Sequence, residues 1–213
     1  VPVEVRVIST AICPAIAKTE NTTALNRWGV WRNEHRNKLI AKAIHEVILE
    51  LGGQPQILVG VATVEHAVHL YQHLRDFTLV YGSMDPNDKF RWERDELLPP
   101  DVHPISFAQR EAYQKAFQEG TLRRAIATGV WHTGVDFPSL NVLVRADAQG
   151  GAIPNTQLPG RVTRSDGSKS LGIVIDFDDV HSPTLAGRAE KRLSGYRGKG
   201  WTIKQLLPRY LDT

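Results

Sequence analysis

A single cysteine, Cys13, stands among 213 residues. No disulfide can form within the chain, and a reducing, cytoplasmic setting is expected. No His or Asp lies close to Cys13 in sequence, so it reads as a small buried apolar residue rather than a nucleophile. No apolar run approaches the length needed to span a bilayer, and no membrane partner is expected. No secretory leader pattern opens the chain. Internal repeats and low-complexity segments are also absent. Two further absences bear on chemistry. A phosphate loop requires G-x-x-x-x-G-K-[ST], whose backbone amides cradle phosphate while the Lys neutralises it. Gly198-Lys199 is followed by Gly200, with Leu193 where the first glycine belongs, and Ser168-Lys169-Ser170 lacks both glycines. No D-E-x-H metal-binding box is present either. The chain is therefore not expected to hold a nucleoside triphosphate and its metal ion alone.

What is present is ordinary globular material, 41% hydrophobic and 23% charged, which argues against disorder and fibrous classes. Strand-like runs alternate with amphipathic helices, the pattern of an α/β parallel sheet flanked by helices. The chain opens on a strand-like stretch, Val3 to Ile8, and further protein is expected upstream. Leu39, Ile40, Ala43, Ile44, Val47, Ile48 and Leu51 recur at helical spacing, and Gly52-Gly53 ends that helix. Ile57 to Val61 is a short continuous apolar run, suited to a strand buried on both faces. Thr63 can cap the next helix. Phe77 to Tyr81 reads as another strand. Residues 84–104 read as a loop or insertion with a short helix. Ser106 and Gln109 form a capping box for a helix to about Glu119. Strands follow at Ala125–Ala127, Val142–Arg145 and Leu171–Phe177. Residues 1–180 are expected to form the main domain and residues 181–213 a basic helical extension packed on it. That tail carries seven Lys or Arg against Glu190 and Asp212, a balance suited to phosphate backbones or to a solvated helix face.

The most informative motif is Gln157-Leu158-Pro159-Gly160-Arg161-Val162-Thr163-Arg164, of the form Q-x-x-G-R-x-x-R. Arg161 and Arg164 are three residues apart and share a face if the segment is helical. Gly160 beside them lets another surface approach. Two adjacent guanidiniums suit a triphosphate, because each can give bidentate hydrogen bonds to phosphate oxygens. About twenty residues upstream, a strand ends at Thr128, and a turn-rich segment runs from Gly129 through Trp131, Gly134 and Asp136 to Pro138. Loops at the carboxyl ends of parallel strands are where ligands bind. The alternative readings are a solvated arginine pair and a plain strand-to-helix connection. Asp176, Asp178 and Asp179 read as a charged strand end more readily than as a metal site. His66, His69 and His73 read as an exposed polar helix face. Trp28, Trp31, Trp92, Trp131 and Trp201 could each stack on bases or be buried, and Trp131 is the first choice for stacking.

Taken in order, these segments resemble motifs V and VI of superfamily-2 helicases. Upstream, Gln56 to Val61 with the helix at 65–74 looks like motif IV. Arg110-Glu111 through Phe117, Gly120 and Ala127-Thr128 looks like the run leading into motif V. The resemblance covers about residues 35–180. It is closest to phage-type and type III restriction-like DNA helicases, whose C-terminal region the stretch from Asp176 to Trp201 is similar to. It implies a RecA-like fold, the second of two such domains, with ATP and Mg²⁺ held mainly by an N-terminal RecA-like domain. By position, Arg164 would be the arginine finger and Arg161 its phosphate-contacting partner. Gln157, Gly134 and Asp136 would lie on the nucleotide side. Thr128, Gly129 and Trp131 would contact DNA, Thr128 through its hydroxyl and nearby backbone N–H groups. Two other readings stay open: a nucleic-acid-binding module without motor activity, and a small-molecule-binding α/β domain.

Overall fold

The computed structural model describes residues 1–11, 13, 21–99, 102, 104–131, 136–150, 159–163, 167 and 169–206, with the side chains of Val130 and Arg161 outside that description. Seven strands form one sheet: β1 (Val3–Ser9), β2 (Ile57–Gly60), β3 (Thr78–Val80), β4 (Arg124–Ala127), β5 (Val142–Arg145), β6 (Gly172–Asp178) and β7 (Thr202–Leu206). Their spatial order is β3-β4-β2-β5-β6-β1-β7. Every pairing is parallel, with Val59 opposite Ile126 and Val144, and Val5 opposite Val174 and Ile203. A parallel sheet needs cover on both faces, and its strands alternate accordingly. Ile57, Val59, Val142, Val144, Ile173 and Ile175 face one core, with α2 (Glu34–Leu51), α3 (Val64–Tyr71) and Trp92 of α4 (Pro86–Arg94). Val3, Val5, Val7, Leu58, Leu143 and Val174 face the other, with Phe117 of α5 (Phe107–Gln118) and Tyr196 of α6 (Pro183–Gly198). The short helix α1 (Thr22–Asn26) runs directly into a π-helical turn, Arg27–Trp31.

The local signals act as the sequence predicts. Thr63 accepts from the His66 amide at the start of α3, and Ser106 and Gln109 close a complete capping box on α5. Gly52 ends α2 at φ +65°, a conformation that disfavours any residue with a Cβ. The tail departs from expectation: after α6 it returns as β7, pairing with β1 from Glu4↔Thr202 to Ile8↔Leu206. The apolar positions Ile203 and Leu206 pack against the two cores, which holds this stretch in the sheet. No helix among the described residues is long and apolar enough to cross a membrane.

Two more expectations are overturned. His66 is fully buried rather than exposed, because α2 and the π-turn pack over α3 and cover what would otherwise be its second face. Among the described residues neither ring nitrogen of His66 has a hydrogen-bond partner, and burial beside Arg36 holds its pKa well below the ordinary 6.5. Cys13 is half-buried rather than buried, and its Sγ lies 3.3 Å from the Trp28 carbonyl oxygen, to which it can donate.

Candidate functional site

All strands of a parallel sheet end on one side, and the candidate residues gather there. β4 delivers Thr128 to its carboxyl end, almost buried, with Gly129 exposed beside it. The Thr128 amide donates to the Val80 carbonyl at 3.0 Å, so this N–H is not a free donor for phosphate. Its hydroxyl makes no hydrogen bond among the described residues. Gly129–Trp131 forms a single 3₁₀ turn.

Trp131 does not serve as a base-stacking surface. It is 1% exposed and lies 5.2 Å from the Phe117 ring and 5.4 Å from Phe137, with those two rings edge to face at 4.8 Å. Burying three large rings outweighs presenting one of them to solvent, since each contributes several kcal/mol on the order of those lost in aromatic-to-alanine changes. The cluster pins both ends of the loop that it brackets. Asp136 is half-buried at the loop's exit, and its carbonyl accepts from Gln118 at 3.3 Å. Gly134 lies outside the described residues.

Of the second motif, the described part is Pro159–Thr163, a 3₁₀ turn between β5 and β6. Gln157 and Arg164 lie outside the described residues, as does the side chain of Arg161. The turn is held firmly: the Thr163 hydroxyl donates to the Gly160 carbonyl at 2.6 Å, and Val162 is buried. Gly172, the first residue of β6, makes this approach possible, since a Cβ there would lie 2.3 Å from the Val162 carbonyl oxygen. Among the described residues nothing comes within 4 Å of where a Cβ on Gly160 would stand.

Beneath these segments lies a buried charge network that the sequence reading missed. Arg36 of α2 donates to Asp179 at 2.7 and 3.2 Å and to the Ala146 carbonyl at 2.9 Å, and Thr10 donates to the same carboxylate at 2.5 Å. Arg145 pairs with Asp147 at 3.0 and 3.1 Å. The Asp176 carboxylate accepts from Arg192 at 3.0 Å on each oxygen, from the Tyr196 hydroxyl at 2.7 Å and from the Phe177 amide at 2.7 Å. Arg192 also donates to the carbonyls of Gln149 and Phe177. Asp147 raises the Arg145 pKa against the opposing effect of burial. Asp176 and Asp179 are thus spent on arginines. Among the described residues no group of three or more His, Cys, Asp or Glu is placed to hold a metal. The network fastens residues 146–149, the exit of β5, to α2, β6 and α6. One signal was available: Arg36 precedes Ile40 by four residues and so falls on the apolar stripe of α2, where a charge must find a buried partner.

No known family model matches the sequence, and no curated protein does. Solved structures do. The C-terminal domain of the DEAD-box protein Dbp5 is 17% identical, with a TM-score of 0.55 over 86% of this chain and 89% of that one. S. cerevisiae Dbp5 L327V bound to RNA and ADP BeF3 is 18% identical, with a TM-score of 0.57 over 84% of this chain and 40% of that one. T4 UvsW is 16% identical, with a TM-score of 0.59 over 96% of this chain and 42% of that one. The chain thus spans about 40% of the length of the longer proteins it resembles. At these identities the likeness establishes the architecture: the chain has the RecA-like α/β fold of the C-terminal domain of a DEAD-box protein.

Proposed function

We propose that this chain is the second motor domain of an ATP-dependent superfamily-2 helicase or translocase, acting on nucleic acid and, by its motif resemblance, on DNA. ATP and Mg²⁺ are held mainly by the N-terminal RecA-like domain of the same protein. Arg164 is the arginine finger and Arg161 its phosphate-contacting partner, with Gln157, Gly134 and Asp136 on the nucleotide side. Thr128, through its hydroxyl, and exposed Gly129 contact the nucleic-acid backbone. The phage-type assignment rests on the tail motif, and T4 UvsW is among the similar folds.

The observation that supports the reading is that the described parts of both segments, residues 128–131 and Pro159–Thr163, join strands of one RecA-like sheet. Thr128 stands at the carboxyl end of β4, and the turn preceding Arg164 is clamped to β6 through Gly172. A finger neutralises the charge that builds on the transferring phosphoryl group, and such groups contribute about 10³–10⁵ in rate. Closure of the two domains would bring Arg161 and Arg164 to the phosphates, and the loop after β4 would pass that movement to the backbone. In the protein carrying both domains, Arg164→Ala is expected to lower nucleic-acid-stimulated ATPase by at least about 10³-fold while leaving nucleic-acid affinity within a few-fold. Stimulated ATPase at the wild-type rate in that variant would refute the finger assignment.

A further inference from the structure

Of the five tryptophans, Trp28 alone stands out to solvent, 41% exposed, while Trp92 and Trp131 are buried and Trp31 and Trp201 half-buried. Trp28 lies in the π-turn, whose wide register is fixed by the Arg32 amide donating to the Arg27 carbonyl at 2.8 Å. Such turns inside helices recur at functional positions. The backbone here is held from outside as well: Asn33 donates to the Gly29 carbonyl at 3.3 Å, and Cys13 lies against the Trp28 carbonyl. The ring is held too. The Arg32 guanidinium lies 5.1 Å from its centroid, and that guanidinium is itself anchored on Glu65 at 2.6 Å.

Among the described residues the charge around the ring is unbalanced. Arg27 reaches the other oxygen of Glu65 at 3.2 Å, so two guanidiniums share one carboxylate. Glu65 is largely buried, while the Arg27 side chain is 44% exposed, so the surplus positive charge faces water. Arg188 adds a third cation, donating to Asn26 at 2.7 Å. The nearby apolar residues Leu25, Val30, Ala148 and Leu185 are packed together, with Trp31 against them.

The position in the fold is equally specific. The π-turn packs on α3, which begins just after the carboxyl end of β2, and its buried cluster includes Ala148 after β5 and Leu185 after β6. It therefore stands on the same side of the sheet as Thr128. β4 and β5 flank β2, so their ends are about 10 Å apart at ordinary strand spacing.

We propose that Trp28, backed by Arg32 and flanked by Arg27, is a base-stacking platform for single-stranded nucleic acid. A base would lie on the ring face opposite Arg32, giving a guanidinium–indole–base stack, and Arg27 would take the adjoining phosphate. The platform rests on the nucleic-acid half of the function proposed above and adds a contact to bases beside one to backbone.

The test compares wild type with Trp28→Ala and Trp28→Phe. The probes are thymidine and uridine oligomers of about twelve nucleotides, within the usual site size, and a base-free deoxyribose-phosphate oligomer of equal length. Trp28→Ala is expected to weaken binding to the base-bearing oligomers by about 5- to 100-fold, the worth of one stacked base. Trp28→Phe should recover most of that loss, and affinity for the base-free oligomer should not change. The thymidine and uridine arms tell whether DNA or RNA is preferred. Equal affinity of wild type and Trp28→Ala for all oligomers overturns the platform while leaving the backbone contact intact. An equal loss on base-free and base-bearing oligomers also overturns it, as does a variant that binds normally but fails to couple with the first domain. A wild-type chain that binds neither base-bearing oligomer overturns both the platform and the nucleic-acid half of the proposed function.

Discussion

A single methyl group at position 172 tests whether the second motif is held by its backbone. A Cβ on Gly172 would lie 2.3 Å from the Val162 carbonyl oxygen, 3.0 Å from its carbon and 3.1 Å from its Cβ. Ordinary contact begins at 3.4 Å, so about 1 Å of movement is required. β6 is poorly placed to supply it. Gly172 is registered against Val3, its amide donates to the Pro2 carbonyl at 2.9 Å, and Ile173 is registered against Val142 on the other side. The Pro159–Thr163 turn must move, and it is tied internally by Thr163 and Gly160, so it moves as a unit and carries Arg161 with it. Overpacking of this kind costs about 1–3 kcal/mol. With a urea dependence of about 2 kcal/mol per molar, Gly172→Ala should lower the unfolding midpoint by about 0.5–1.5 M. Misplacing a phosphate-contacting group by about 1 Å can cost about 100-fold in rate, so ATPase of the two-domain protein should fall comparably. Val162→Ala should not rescue it, because the obstruction is a carbonyl oxygen. Gly160→Ala, which meets nothing within 4 Å among the described residues, serves as the stability control and should stay within about 0.5 kcal/mol. A Gly172→Ala midpoint as close to wild type as that control would refute the clamp.

Two further outcomes follow from buried groups. Asp176→Asn keeps the shape but removes the charge facing Arg192, a guanidinium with no solvent exposure, and is expected to cost about 3–5 kcal/mol. Urea titration reads it directly, and a loss under about 1 kcal/mol would mean that the Gln149 and Phe177 carbonyls suffice for Arg192. For His66 the folded state holds the neutral form while the unfolded chain protonates near 6.5. The unfolded state then binds more protons, so stability is full above pH 6.5 and falls by about 1.4 kcal/mol per unit below it. His66→Leu should flatten the stability curve between pH 6.5 and 5 by about that slope, whereas an unchanged slope would show that His66 protonates equally in both states.

How much of this was legible in the sequence depends on how local the determinant is. Caps, apolar runs and helix stripes act over four to ten residues. Thr63, Ser106 with Gln109, and the strand at Val142–Arg145 could be placed from the sequence alone for that reason. β7 could not, because its partner is β1, two hundred residues away, and a basic stretch with glycine breaks carries no strand signature of its own. His66 was misread for the same reason. A helix with one apolar stripe looks half-exposed until a second element, here the π-turn, covers the polar side. The candidate site divides similarly. Thr128 stands at a strand's carboxyl end as its motif implied, but the loop chemistry at Trp131 was inverted by two phenylalanines, one fourteen residues before it and one six residues after.

The distribution of charge argues against reading phosphate affinity from composition. The tail gathers seven Lys or Arg, yet Arg192 is buried on Asp176, Arg197 is paired with Glu190, and Lys204 is paired with Glu4. Arg192 and Lys204 thereby hold α6 and β7 to the sheet, while the Arg197–Glu190 pair lies within α6 itself. Each pair contributes almost nothing to the potential beyond about a Debye length, roughly 8–10 Å at ordinary salt. Arg36 and Arg145 are likewise neutralised inside. A net charge of +3 is then compatible with a surface field concentrated elsewhere. Among the described residues, at Arg27 and Arg32 two guanidiniums face one carboxylate beside an exposed indole where the strands end. On this account Arg192 and Lys204 of the tail are scaffold, and the proposed cationic contact is the π-turn joined by Arg188. A polyanion would be drawn to the surplus rather than to the count.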